Sequence, residues 1–301
     1  MPRVISPLVC PNGQPQDSAS IRTLRAGRLN KPEELSVDSQ VKLLADRYSL
    51  RAAAYESFWS PVIRPIGERL LRSLPLSGAH RVVDVGAGAG ALLPALQAAA
   101  PKACVLGIDR SEGMLRLAKQ KHAGPLMLMD MQQLGLAADC IDVAVVAFAL
   151  FHLPYPGRCL TEVNRVLRSG GMVGTITWGA EYPPPANAIW DEELEAAGAR
   201  VLELPVTDNR ACCDNPDKVT GLLEQAGFVS PQVWTESLEH LWPPQDHFDY
   251  QVGSTSRLRL QSLDDVKRRD CLGRVRDRLS YVDTEGYTYR GQVVMAAAVK
   301  P

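Results

Sequence analysis

Val82-Val83-Asp84-Val85-Gly86-Ala87-Gly88-Ala89-Gly90 is an apolar run, broken by one carboxylate, that passes into a loop with glycine at every second position. Apolar residues on both faces suit a parallel strand covered by helices on each side, and the glycines let the backbone turn sharply and approach a bulky ligand. Ala91 to Ala100 follows as a helix-prone stretch with Pro94 near its start. The unit reads as strand, glycine loop and helix, the entrance to a nucleotide-cofactor site.

A glycine loop by itself serves many purposes, so the downstream spacing decides. Ala103 to Ile108 forms a second apolar strand ending at Asp109, where a carboxylate about 20 residues past the loop can take a ribose diol. Leu126 to Met129 ends at Asp130-Met131, and Ile141 to Val146 runs into Ala147-Phe148-Ala149-Leu150-Phe151-His152. Gly86-x-Gly88-x-x-Ala91 also satisfies the relaxed dinucleotide fingerprint, which leaves an NAD-dependent oxidoreductase as the competing enzyme class. The repeated acid at strand ends argues against it.

These residues resemble the class I S-adenosylmethionine-dependent methyltransferases, in particular the small-molecule group with the ubiquinone and menaquinone methylases. The resemblance rests on Asp84-x-Gly86-x-Gly88-x-Gly90, on Gly107-Ile108-Asp109-Arg110-Ser111-x-x-Met114-Leu115, on Met129-Asp130-Met131, and on Leu160-x-Glu162-Val163-x-Arg165-Val166-Leu167-x-x-Gly170-Gly171. The four motifs stand in the family's order between Arg81 and Trp178. The resemblance implies a Rossmann-like α/β fold with a doubly wound seven-stranded sheet, order 3-2-1-4-5-7-6, strand 7 antiparallel, and a helical cap. It implies S-adenosyl-L-methionine as cofactor and SN2 methyl transfer to a small molecule. Tyr48-Ser49-x-x-Ala52-x-x-Tyr55 looks like the family's aromatic N-terminal helix, with Ser49 where Asp is frequent.

Site roles follow from the same resemblance. Gly86, Ala87, Gly88 and Gly90 would wrap the amino-acid part of the cofactor, and Asp84 would order the loop and meet the methionyl ammonium. Asp109 would take the ribose diol, Arg110 and Met114 would flank the adenine, and Asp130 with the Met131 backbone would meet its edge. Tyr48 and Tyr55 would close over the cofactor, while Ala147 and Phe148 would face the sulfonium. His152 is the one histidine placed near transfer, either as general base or as packing. The segment after strand four lacks the Asn/Asp-Pro-Pro-aromatic pattern of nucleic-acid amine methylases, and no paired-glutamate loop marks a protein-arginine methylase.

The 301 residues suffice for one domain with a cap. With 33 basic against 34 acidic residues and a pI near 6.5, the overall charge gives no reason to expect a nucleic-acid partner. No apolar run approaches the roughly 20 residues that span a bilayer. Seven scattered cysteines, with Cys104 and Cys140 in or beside buried strands, suit reduced thiols and a cytoplasmic protein. Adjacent Cys212-Cys213 offers a soft-metal pair, but no third thiol stands near it, so no metal site is assigned.

The predicted organisation is a flexible extension over 1–36 and a methyltransferase domain over 37–301. Within the domain, 37–75 are N-terminal cap helices, 80–178 the cofactor-binding core, 179–226 and 236–285 cap segments, and 228–234 and 291–299 terminal strands. The extension is basic and rich in proline and glycine, with organellar import as its second reading. Ser262-x-x-Asp265 reads as a capping box for a helix burying Leu263, Val266, Leu272, Val275 and Leu279. Trp59, Tyr182, Trp190, Trp242 and Tyr250 offer walls for an apolar or aromatic acceptor. A noncatalytic cofactor-binding partner protein is the third reading, and the oligomeric state is not legible.

Overall fold

The computed structural model describes residues 36–200 and 209–301. The extension predicted over 1–36 lies outside them except for Ser36, whose hydroxyl accepts from the Ser39 amide as N-cap of helix α1 (Val37–Leu71). Seven strands alternate with helices: β1 (Arg81–Val85), α2 (Leu93–Ala99), β2 (Cys104–Asp109), α3 (Glu112–Lys121), β3 (Leu126–Leu128), β4 (Ile141–Ala147), α4 (Pro156–Val166) and β5 (Leu167–Tyr182). After these come α5 (Ala186–Ala196), α6 (Pro216–Gln225), β6 (Val229–Leu241), α7 (Pro244–Tyr250), α8 (Arg257–Gln261), α9 (Asp265–Leu279) and β7 (Thr288–Val299).

The strands form one sheet in the order β3-β2-β1-β4-β5-β7-β6, with β7 antiparallel to both its neighbours. This is the order that the resemblance implies. In β1 Val82, Val83 and Val85 are fully buried, as a strand covered on both faces requires. Its register against β2 pairs Asp84 with Gly107 and Val85 with Ile108, which brings the glycine loop and Asp109 to the same edge. Ligands of open α/β sheets bind at this carboxyl edge, where the strand order reverses.

Asp142, at the start of β4, locks the opposite edge. One carboxylate oxygen accepts from the amides of His80 (2.6 Å) and Arg81 (2.8 Å), and the other pairs with Arg168 Nε at 2.9 Å. Burial pushes this carboxyl up, but the amide hydrogen bonds and Arg168 outweigh burial and hold it below its usual value. The stability it contributes is therefore present above the ordinary carboxylate range and lost as pH falls through the lowered value. Asp142→Ala is expected to cost about 1–3 kcal/mol in urea unfolding at neutral pH, by orphaning two strand-end amides. An unchanged midpoint would mean that water replaces the carboxylate.

Several local expectations are corrected. The predicted cap helices of 37–75 are one helix through Leu71, continuous across Pro61 and Pro65. Burial of Val62, Ile66 and Leu70 holds it there against the proline penalty. The terminal strands are longer than predicted, so 236–241 belong to β6, and β7 begins at Thr288 rather than Gly291. The cap of α9 is Asp264, which accepts from the Lys267 amide, while the Ser262 hydroxyl donates to Arg259 O. That shift turns Val266 outward, at 61% exposure, and buries Cys271 instead. Cys104 is exposed at the mouth of β2.

Candidate active site

Two adjoining cavities open at the carboxyl edge of the sheet. The smaller, about 50 Å³, is lined by Asp84, Gly86, Ala87, Gly88, Ala147 and Phe148, with Tyr55, Ser60 and Ile63 of α1 and further residues of the loop. The larger, about 440 Å³, has one wall made of a single stripe of α1: Leu44, Arg47, Tyr48, Arg51, Tyr55 and Trp59. Facing that stripe are Phe148, Phe151 and His152 after β4, Trp178 and Glu181 of β5, and Arg210, Tyr250 and Ser254. Tyr55 and Phe148 line both cavities and so mark the passage between them.

The loop chemistry follows from backbone geometry. Gly86 and Gly88 have φ of +82° and +52°, values that side-chain-bearing residues seldom adopt. A Cβ on Gly86 would meet the Ala149 Cβ at 2.7 Å, whereas one on Gly88 would point into open space. The amides of Gly86 and Ala87 both donate to Ile108 O at 2.8 Å, tying the loop to β2. Gly90 lines neither cavity; a Cβ there would press on Ala118 of α3 at 3.0 Å.

Asp84 is 2% exposed, and its Oδ1 has no hydrogen-bond partner. Burial, aided by the nearby Asp109, pushes its carboxyl up to about 7. A buried carboxylate in that condition calls for a cation. Asp109 accepts from the Ser111 amide (2.7 Å) and the Gly88 amide (2.8 Å), so it sets the loop as well as ending β2. Burial raises its pKa against the opposing pull of these amides. Arg110 pairs with Asp130 at 2.8 Å, and Asp130 also accepts from the Gln132 amide.

Asp109, Arg110, Met114, Asp130 and Met131 line neither cavity; Tyr48 and Tyr55 of α1 lie close to Asp109 and pack on Met114. Tyr48, Tyr55 and Ala52 pack with Ala89 and Met114 as one small cluster. The Ser49 hydroxyl bonds Ser111 Oγ at 2.8 Å and accepts from the Gly113 amide at 3.3 Å, so it satisfies the first turn of α3. That is the task left open for serine at this position by the sequence. Lys121 of α3 pairs with Glu56 and donates to Ala89 O, adding a second clasp.

Tyr48 carries its hydroxyl to His152 Nε2 at 2.9 Å. Burial pushes this phenol well above its usual pKa, so it stays a neutral hydroxyl. Phe148 follows β4 with φ of +54°, strained for a bulky residue, and its amide donates to Ile176 O at 2.8 Å. Of the aromatics offered for a substrate wall, Trp59 and Tyr250 line the larger cavity, joined by a 2.7 Å hydrogen bond from Trp59 Nε1 to Tyr250 Oη. Trp242 instead stacks on Phe58, Trp190 is buried against Phe248, and Tyr182 is exposed. Trp178, Arg47, Arg51 and Arg210 are wall residues that sequence reasoning missed. For Arg47 and Arg51 the signal was their helical spacing with Tyr55, whereas Arg210 arrives from a distant segment with no such signal.

Among the described residues no cluster of three metal-ligating side chains occurs, and no helix is long and apolar enough to cross a membrane. Cys213 is buried beside exposed Cys212, and its carbonyl accepts from Thr177 Oγ1.

A family model described as a methyltransferase domain matches residues 83–174. The chain is 31% identical over 175 residues to a ubiquinone/menaquinone biosynthesis C-methyltransferase of Syntrophotalea carbinolica, covering 52% of this chain and 72% of that one. It is 30% identical over 223 residues to a malonyl-[acyl-carrier protein] O-methyltransferase of Pectobacterium atrosepticum, covering 73% and 86%. Its fold is similar to that of phosphoethanolamine N-methyltransferase 2 of Haemonchus contortus, with a TM-score of 0.51 at 17% identity, covering 89% of this chain and 61% of that one.

Proposed function

The chain belongs to the class I S-adenosylmethionine-dependent methyltransferases, and from that premise we propose that it methylates a small molecule with an aromatic or apolar body held in the larger cavity. Family membership sets the nicotinamide reading aside. The observation that carries the proposal is the shared wall of Tyr55 and Phe148, which joins the glycine-loop cavity to a chamber of about 440 Å³. That volume suits a small ligand and favours a catalytic protein over a partner that only binds cofactor.

The residues present fit S-adenosylmethionine. Asp84, buried with an orphaned oxygen, is suited to a methionyl ammonium, and Gly88 leaves open the space a side chain would fill. Gly86, Ala87 and Gly88 would hold the amino-acid end with Ala147 and Phe148. Asp109 would keep the loop amides in place and offer its remaining lone pairs to the ribose, and Arg110, Met114, Asp130 and Met131 would frame the base. Gly90 would serve by letting the loop pack on α3. When bound, the cofactor supplies an electrophilic methyl group on a sulfonium.

Tyr55 and Phe148 would align the acceptor with that methyl and keep water from the passage. A hydroxyl acceptor sheds its proton through Tyr48. The phenol passes its own proton to His152 Nε2 while taking the acceptor's, in concert because the buried tyrosinate is disfavoured. Radiolabel transfer from S-adenosylmethionine to a panel of phenols and aromatic acids tests the activity. His152→Gln is expected to lower turnover about a hundredfold on a hydroxyl acceptor while leaving the affinity for S-adenosylhomocysteine within about twofold. Equal turnover by the variant would make His152 a packing residue, and no labelled product from any acceptor would count against methyl transfer to this class.

A further inference from the structure

The larger cavity is more cationic than its aromatic lining suggests. Its walls carry Arg47, Arg51 and Arg210 against one carboxylate, Glu181, among the described residues. Glu181 is already engaged, since it accepts from Tyr289 Oη at 2.7 Å and pairs with Arg210. Arg47 and Arg51 have no carboxylate partner among the described residues. They are four residues apart on α1, so their side chains leave the same face of the helix. Arg257 stands close enough to Arg51 that, with burial and Arg47, it lowers the Arg51 pKa. Two cations left unpaired at the wall of a cavity repel each other unless an anion joins them.

Helix geometry places that anion. Tyr55, at the passage between the cavities, lies four residues beyond Arg51 and eight beyond Arg47, about 6 and 12 Å along the axis. Side chains of a helix lean toward its N-terminus, so both guanidinium groups are carried away from Tyr55. They are therefore remote from the methyl-transfer point and suited to anchoring rather than to reaction. Tyr250 lines the same cavity, and its oxygen accepts from Trp59 Nε1, which leaves its own proton free to be donated to the body of a ligand.

Resting on the methyl-transfer reading above, we propose that the acceptor carries an oxyanion, a carboxylate or a phosphate, gripped by Arg47 and Arg51 roughly 6–12 Å from the atom that is methylated. The anion fixes the long axis of the acceptor, and Trp59, Trp178 and Phe148 hold its body. A planar fork of donors on each arginine suits either oxyanion.

Calorimetric titration of the full chain with three probes tests this: para-hydroxyphenylpropionate, its neutral amide, and para-hydroxyphenylethyl phosphate, each with and without S-adenosylhomocysteine. The carboxylate or the phosphate is expected to bind at least about tenfold more tightly than the amide, and whichever binds more tightly identifies the oxyanion. In the Arg47→Gln/Arg51→Gln double variant that preference is expected to vanish, with amide affinity and melting temperature unchanged. Equal affinity of the wild type for charged and neutral probes, or no binding of any of them, overturns the proposal. So does a variant that loses S-adenosylhomocysteine but keeps methylthioadenosine, since the arginines would then hold the cofactor's own carboxylate. Failure of wild-type protein to bind S-adenosylhomocysteine would sink the methyl-transfer reading, while the probes alone would still decide the charge preference.

Discussion

Asp84→Asn is expected to weaken S-adenosylhomocysteine binding about a hundredfold at pH 8 and, in the same buffer, to raise the melting temperature of the ligand-free protein by several degrees. The two effects have one cause. With its carboxyl pushed up to about 7 by burial and by Asp109, the ligand-free protein above that pH holds a buried anion whose Oδ1 meets no donor of the protein. Asparagine removes the charge and with it the penalty. An ammonium ligand that compensates the carboxylate has nothing to meet in the variant, and loss of one partner of a buried charged pair costs about 2–5 kcal/mol.

The pH dependence has a definite sign. An unfolded aspartate titrates near 3.9, so between about pH 4 and pH 7 the folded protein binds the extra proton. Ligand-free stability therefore falls as pH rises through that window, by up to about 4 kcal/mol from this carboxyl. Affinity for S-adenosylhomocysteine runs the other way, rising as pH passes about 7, because the ammonium is met by the ionised form. Thermal melts and calorimetry at pH 6 and pH 8, on wild type and variant, separate the two trends. An Asp84→Asn protein that binds as well as wild type at pH 8 would move the ammonium to another acceptor.

How far the sequence carried the fold can be seen residue by residue. Val82, Val83 and Val85 announce a strand covered on both faces because their burial is two-sided, and the acids at the ends of β2 and β3 follow from the strand periodicity. The sheet order came with the resemblance, not with the periodicity. The cap helices predicted over 37–75 run as one helix across Pro61 and Pro65, because the local cost of the prolines is overridden by the burial of Val62, Ile66 and Leu70, which no window of sequence displays. The cap of α9 falls at Asp264, two residues past the Ser262 read from the sequence, a choice made by the packing of Cys271, Val275 and Leu279. The candidate site divides the same way. Asp84 and the glycines stand in one motif, whereas the charge of the larger chamber arises when a stripe of α1 meets β5 and residues near 210 and 250. Trp242 looked like a wall and became a stacking partner for Phe58 for that same reason.

The close seat of α1 on α3 yields the second large effect. A Cβ on Gly113 would stand 2.6 Å from Ser49 O and 2.7 Å from Ser49 Cα, backbone atoms that cannot swing aside. Gly113→Ala must therefore lift α1, and the overpacking cost of about 1–3 kcal/mol falls on that contact. The fold itself should hold, since alanine favours the helical state of α3 over glycine by up to about 1 kcal/mol. The expected result is at least tenfold faster amide exchange over residues 44–55 with little change in melting temperature. Turnover should fall about as far as in Tyr48→Phe, because the Tyr48 bond to His152 requires α1 in place. The association rate of S-adenosylhomocysteine should rise, since Tyr48 and Tyr55 of α1 lie close to Asp109 and must lift for a nucleoside to reach it. Ser49→Asp provides the control: a carboxylate there can still accept from the Gly113 amide, and its charge suits the N-terminus of α3, so α1 should stay seated. If Gly113→Ala leaves both exchange and turnover unchanged, α1 does not rest on α3 in solution, and the wall that carries Arg47, Tyr48 and Arg51 is not part of the working site.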